Sequence, residues 1–158
     1  MRRLMILSVV VVVAGGVAAL ILLQGTKPPP LLADPADAAQ VAAGQAIYAA
    51  NCASCHGDKL QGQPNWKERK ADGRLPAPPH DATGHTWHHP DQQLFDIIQR
   101  GIAAIVPDYQ SDMIGFSDKL SDSDIRNVLA YIKSTWPPDI QARQAEITRR
   151  ATEQAGAK

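Results

Sequence analysis

The sequence predicts an all-α fold: one small helical domain set behind an N-terminal membrane-spanning helix. Three observations point there. Apolar side chains recur at helical spacing in three separate segments. The long stretch between the first two segments is rich in Pro, Gly, His, Lys and Asp, with no sustained apolar period, and reads as loop. The chain also opens on an uncharged apolar run from Leu4 to Leu23. A length of 158 residues suits one compact domain with appendages. Sixteen basic residues balance sixteen acidic ones, so bulk charge gives no reason to expect a nucleic-acid partner.

The apolar run follows Met1-Arg2-Arg3, and its only polar side chain is Ser8. Twenty helical residues rise about 30 Å, the thickness of a bilayer's hydrocarbon core. The apolar core of a secretory signal is usually about 7–15 residues. The segment that follows, "QGTKPPPLLADPADAA", has no convincing cleavage site; "LLA" ending at Ala33 is a poor one. Residues 1–24 are therefore read as a retained anchor, with a cleaved signal as the other reading. Arg2 and Arg3 stay in the cytoplasm. That places the protein in the cell inner membrane as a single-pass chain, its domain on the periplasmic or outer side. The small residues of "AGGVAA", Ala14 to Ala19, would allow close packing against another membrane helix, though they also suit an ordinary anchor.

Residues 25–37 hold Pro28-Pro29-Pro30 and Pro35, which favour extended chain and form a short, stiff stalk. The domain spans residues 38–138. Asp37 is placed to cap its first helix, "AAQVAAGQAIYAAN", which carries Val41, Gly44, Ile47 and Tyr48 on one stripe. Gly57 to Pro90 is loop, and one this long in a small domain needs something to fold around. Pro90-Asp91 opens a second helix, "DQQLFDIIQRG", with Leu94, Phe95, Ile97 and Ile98 inward and Gly101 at its end. After another loop, Ser121-Asp-Ser-Asp124 starts a third helix with Ile125, Val128, Leu129 and Ile132 as its stripe, stopped by Pro137-Pro138. Residues 139–158 form a polar, mildly basic tail, helical by propensity and expected to be solvated. A domain of this size buries only a thin core.

The chain's only cysteines, Cys52 and Cys55, stand two residues apart with His56 directly after, in "NCASCHG". Cys-x-x-Cys-His is the attachment signal of c-type haem. Each thiol can add to one vinyl group of the porphyrin, and the adjacent imidazole then lies under the iron. Capture as thioethers also keeps two close thiols from becoming a disulfide in an oxidising compartment. A zinc site would want a second pair of ligands, and there are no further cysteines. A thioredoxin-like pair would want a βαβ setting. Haem also supplies the missing core.

With these motifs the chain resembles the class I cytochromes c over about residues 40–137. "GQAIYAANCASCHG" resembles the family's first helix and haem site, and "LSDSDIRNVLAYIKSTW" resembles its last helix. The resemblance implies a cytochrome c fold wrapped around one covalently attached haem c. It also implies that the two helices cross with Gly44 against Tyr131 and Tyr48 near Val128. "DMIGFSDKL" resembles the segment that carries the sixth iron ligand, which makes Met113 that ligand; it is the domain's only methionine. A neutral, soft thioether favours Fe(II), raises the potential and closes the sixth position. The bland reading of Met113 is a core methionine. Ile114 departs from the proline that commonly follows this methionine, which leaves the loop less stiff.

Four histidines, His80, His85, His88 and His89, lie in "LPAPPHDATGHTWHHPD". They are read as a loop packed over the haem, with a copper site and an alternative sixth ligand as rival readings. The resemblance implies that a proline carbonyl there, from Pro78 or Pro79, accepts from the second nitrogen of His56, and that Trp87 packs at the porphyrin edge. Pro79 and Trp87 are accordingly counted with Cys52, Cys55, His56 and Met113 as cofactor-binding. Residues 108–124 hold five aspartates against Lys119. They make either an acidic rim for a basic redox partner or a solvated surface with helix caps. The expected function is single-electron transfer between respiratory or photosynthetic redox proteins, without catalysis of its own. The alternatives are a fixed subunit of a membrane oxidase or dehydrogenase complex, a haem sensor or enzyme, and a copper-binding protein.

Overall fold

The computed structural model describes residues 33–157. The expected anchor (1–24) and the stalk as far as residue 32 lie outside the described residues. Among those described, no helix is long and apolar enough to cross a membrane. The elements are all helical: α1 (Ala38–Asn51), α2 (Ala53–His56), a 3₁₀ turn (Thr86–His88), α3 (Asp91–Arg100), a 3₁₀ turn (Ile102–Ala104), α4 (Asp122–Ser134) and α5 (Pro138–Gly156).

Local chemistry sets the helix starts. The Asp37 carboxylate accepts from the N–H groups of Ala39 and Gln40 at 2.9 and 3.1 Å, satisfying donors that the first turn leaves free. At α4, Ser121 and Asp124 form a reciprocal capping box. Pro138 starts α5, where its missing N–H costs nothing.

α1 and α4 make the main crossing. Ile125 and Val128 are fully buried, and Leu129 and Ile132 nearly so. Gly44 is the point of closest approach. A Cβ there would run into the backbone carbonyl of Asn127 and lie 2.9 Å from the Cβ of Tyr131. The expected contact of Gly44 with Tyr131 is present, and Tyr48 shares a core cluster with Val128, Leu60, Ile132 and Trp136. A second cluster joins Leu94 and Phe95 of α3 to Ile125, Leu129 and Ala130 of α4. Gly44→Ala is expected to force α1 and α4 apart and to cost about 1–3 kcal/mol, as overpacking does. A urea midpoint unchanged from the parent would show that the crossing has slack.

The tail differs from expectation. α5 lies against the 3₁₀ turn at Thr86–His88 and buries Gln144 completely and Thr148 almost so. Its weak apolar face concealed a polar one. Gln144 Nε2 donates to an Asp91 carboxylate oxygen at 2.7 Å, and Thr148 Oγ1 accepts from the Asp91 N–H at 3.0 Å. Lys133 completes the knot: its ammonium meets both Asp91 oxygens at 2.9 Å and the Ala33 carbonyl at 2.7 Å. Both side chains of this ion pair are 1 % exposed.

Candidate functional site

The site grows from the break between α1 and α2. Cys52 closes α1, its N–H donating to the Tyr48 carbonyl at 2.8 Å, and the chain turns straight into α2. Cys55 and His56 both donate backbone N–H groups to the Cys52 carbonyl, at 3.1 and 2.9 Å. This single turn presents two thiols and an imidazole together. Gly57 ends it at φ 82°, a conformation that favours glycine. Tyr48 locks the exit, its hydroxyl donating to the Gly57 carbonyl at 2.9 Å. Cys55 is exposed and Cys52 half-buried, and neither is in a disulfide. Burial, and then the neighbouring Cys55, pushes the Cys52 thiol up to about 11.

His56 is buried, with Nδ1 2.8 Å from the Pro78 carbonyl. A carbonyl only accepts, so Nδ1 carries the proton and Nε2 is left with its lone pair free for a metal. Burial lowers the pKa of the ring, and the Pro78 carbonyl opposes that shift. The carbonyl belongs to Pro78 and not to Pro79. Pro79 is buried one step further on, and its carbonyl accepts from Thr86 Oγ1 at 3.5 Å. Which of two consecutive carbonyls faces inward is a matter of backbone rotation, which side-chain chemistry does not reveal.

The four histidines of the middle loop do not gather at one point, although the His85 and His89 rings meet edge to face with centroids 5.5 Å apart. His80 stacks on His56 with ring centroids 3.9 Å apart and an interplanar angle of 23°. Nothing as thick as a porphyrin fits between rings so close, so His80 lies on the His56 side and is no candidate for an opposite ligand. Its Nδ1 is 2.8 Å from Thr86 Oγ1, and burial pushes its pKa well below the ordinary value. His85 stacks on Trp66 at 5.5 Å and His88 on Trp87 at 3.7 Å, while His89 Nδ1 is 3.2 Å from Gln93 Oε1. Among the described residues, no three His, Cys, Asp or Glu side chains gather as a metal site.

Trp87 is half-buried under Arg143 of α5, whose guanidinium lies 4.9 Å from the ring centroid. Its Nε1 is buried with no hydrogen-bond partner. A buried donor of this kind calls for an acceptor, and a haem propionate is one. With the paired thiols and the free Nε2 of His56, the residues present fit a covalently held haem.

Met113 is half-buried, on a segment held by contacts of its backbone. Its N–H donates to Ser111 Oγ at 3.0 Å, Ile114 bridges to Gly101, and the Phe116 N–H donates to the Ile98 carbonyl at 3.0 Å. The neighbouring aspartates are less free than their number suggests. Asp112 is paired with Lys70 and Arg74, which hold its carboxyl below the usual carboxylate range. Asp124 caps α4, and Asp122 accepts from Gln99 Nε2 at 3.1 Å. The pairing of Asp112 was invisible in a count over residues 108–124, because its cations arrive from the middle loop.

The chain is similar to known proteins over this domain. The family model described as Cytochrome c matches residues 41–136. The chain is 32% identical over 102 residues to the cbb3-type cytochrome c oxidase subunit CcoP of Rhodobacter capsulatus, covering 63% of this chain and 31% of that one. It is 31% identical over 97 residues to the same subunit of Azospirillum sp. (strain B510), covering 61% of this chain and 29% of that one. Against cytochrome c6 of Picosynechococcus sp. it is 35% identical over 98 residues, covering 62% of this chain and 75% of that one. The chain thus spans about 30% of the length of the CcoP relatives and most of the cytochrome c6. The chain belongs to the cytochrome c family: it is a class I cytochrome c, whose cofactor is covalently attached haem c.

Proposed function

We propose that this cytochrome is a membrane-anchored carrier that passes single electrons between respiratory or photosynthetic partners on the outer face of the cytoplasmic membrane. Haem, when bound, supplies an iron that cycles between Fe(II) and Fe(III). The observation that carries the reading is the single turn that presents Cys52, Cys55 and a His56 whose Nδ1–H is already committed to Pro78. Cys52 and Cys55 hold the porphyrin as thioethers. His56 ligates through Nε2, and its bond to Pro78 fixes the ring and increases its basicity. Met113 supplies the sixth ligand, and its neutral sulfur raises the potential and keeps small gases out. Trp87 gives its free N–H to a propionate. Asp108 and Asp118 remain as an acidic surface for a basic partner.

A second reading has its own support. Similarity to CcoP, a subunit of an oxidase by its name, favours a chain held permanently in a membrane complex as its electron-transfer subunit. Purification in mild detergent separates the two, since a subunit brings its complex with it. One experiment tests the core proposal. Membranes washed in carbonate should retain the protein, and acid–acetone extraction should then leave the pigment on the chain. Pigment in the solvent would refute thioether attachment, and protein in the carbonate wash would refute the anchor.

A further inference from the structure

Met113 stands directly after Asp112, whose two carboxylate oxygens each have their own cation. Lys70 Nζ donates to Oδ2 at 2.6 Å and Arg74 Nη1 donates to Oδ1 at 3.0 Å. Both cations sit on one turn of the middle loop, about forty residues away in sequence. That turn is built to offer them together. The Lys70 N–H donates to the Arg74 carbonyl at 2.8 Å, and the Gly73 N–H donates to the Lys70 carbonyl at 2.9 Å. Asp72 accepts from the Arg74 N–H at 3.0 Å and lies 3.8 Å from Lys70 Nζ, so it steadies both. A third contact joins the same two loops, with the Arg69 guanidinium 5.9 Å from the Tyr109 ring centroid.

On its other side Met113 is held by the Ile114–Gly101 bridge. Ile114 is 61% exposed and leaves its own φ free, where a proline ring would fix it. The segment therefore has a backbone anchor after Met113 and an ionic one before it.

We propose that Asp112 is a positioning residue for the sixth iron ligand: clamped by Lys70 and Arg74, it holds the Met113 backbone against the middle loop. The inference rests on the reading of Met113 as ligand. All three side chains are 40–52% exposed, so the clamp adds little to global stability. Its effect is on local opening of the segment, which frees the iron's sixth position without unfolding the domain.

The test uses the full-length haem protein and reads three things: the rate of carbon monoxide binding to the ferrous form, the Fe(III)–thioether band on warming, and far-UV circular dichroism. Asp112→Asn is expected to raise the carbon monoxide rate about fivefold, the scale of one or two exposed charged contacts. It should also lower the temperature at which the band disappears, while the midpoint by circular dichroism stays put. Asp112→Glu should recover most of the loss. The double variant Lys70→Gln/Arg74→Gln should reproduce it from the other side, which guards against a folding defect peculiar to residue 112. Raising the salt concentration should speed gas binding in the parent and leave Asp112→Asn unmoved. Parental rates and band stability in both the asparagine and the double variant would overturn the clamp. Met113→Ala is run beside them. If it leaves the band intact, the ligand assignment itself has failed; if it removes the band while the other variants are silent, only the clamp has.

Discussion

Met113→Ala is expected to abolish the weak red absorption band of the Fe(III)–thioether bond, to open the ferrous iron to carbon monoxide, and to lower the reduction potential. The band should go completely, because alanine has no donor atom. The fall in potential follows from losing a neutral, soft ligand that favours Fe(II). Met113→His should close the coordination again at a potential below the parent's, provided the segment can place the ring. The Gly101–Ile114 bridge and the bond from the Met113 N–H to Ser111 Oγ do not use the Met113 side chain and survive both changes, so the fold around residue 113 should hold. A band and potential untouched by Met113→Ala would mean that sulfur is not the ligand. His80 could not then take its place, because it stacks on the His56 side; His85, His88 and His89 would remain.

Lys133→Ala is the substitution expected to cost the most stability. The ammonium is buried and spends its three protons on the two Asp91 oxygens and the Ala33 carbonyl. Desolvation lowers the Lys133 pKa, and the attraction of Asp91 works against that shift. Removing the cation leaves a carboxylate at 1% exposure whose remaining donors, among the described residues, are Gln144 and the more distant Ala33 N–H. Breaking a buried pair from one side costs about 3–5 kcal/mol, because the surviving charge is stranded. Replacing both members, as in Lys133→Met/Asp91→Leu, removes the stranded charge and should restore much of the loss, though it also deprives Gln144 of one of its three acceptors. Urea unfolding of the haem protein measures both variants against the parent. A loss below about 1 kcal/mol for Lys133→Ala would mean that water reaches Asp91 readily.

The three domain helices were legible because their signals are local. The stripe of Ile125, Val128, Leu129 and Ile132 can be read from spacing, and the caps at Asp37 and Ser121 from residue type. The Cys-x-x-Cys-His turn was legible for the same reason, since its chemistry lies within five residues. What escaped was long-range and polar. Gln144 and Thr148 look like solvated helix residues until Asp91, 53 and 57 positions away, is seen to meet them. Asp112 counts as free surface charge until Lys70 and Arg74 arrive. Between Pro78 and Pro79, composition offers no choice at all.

The knot around Asp91 also has a consequence for rates. It ties residues 42, 53, 58 and 100 positions apart, and its Lys133–Ala33 bond spans more of the sequence than any other hydrogen bond among the described residues. Such closures are slow to reward the entropy they cost and tend to form late. Contacts missing from the folding transition state act on unfolding and leave folding nearly untouched. Lys133 and Gln144 should therefore behave as a latch: their loss would speed unfolding while refolding runs at close to the parental pace. A domain latched this way outlasts proteases by opening rarely, where cleavage outpaces reclosing.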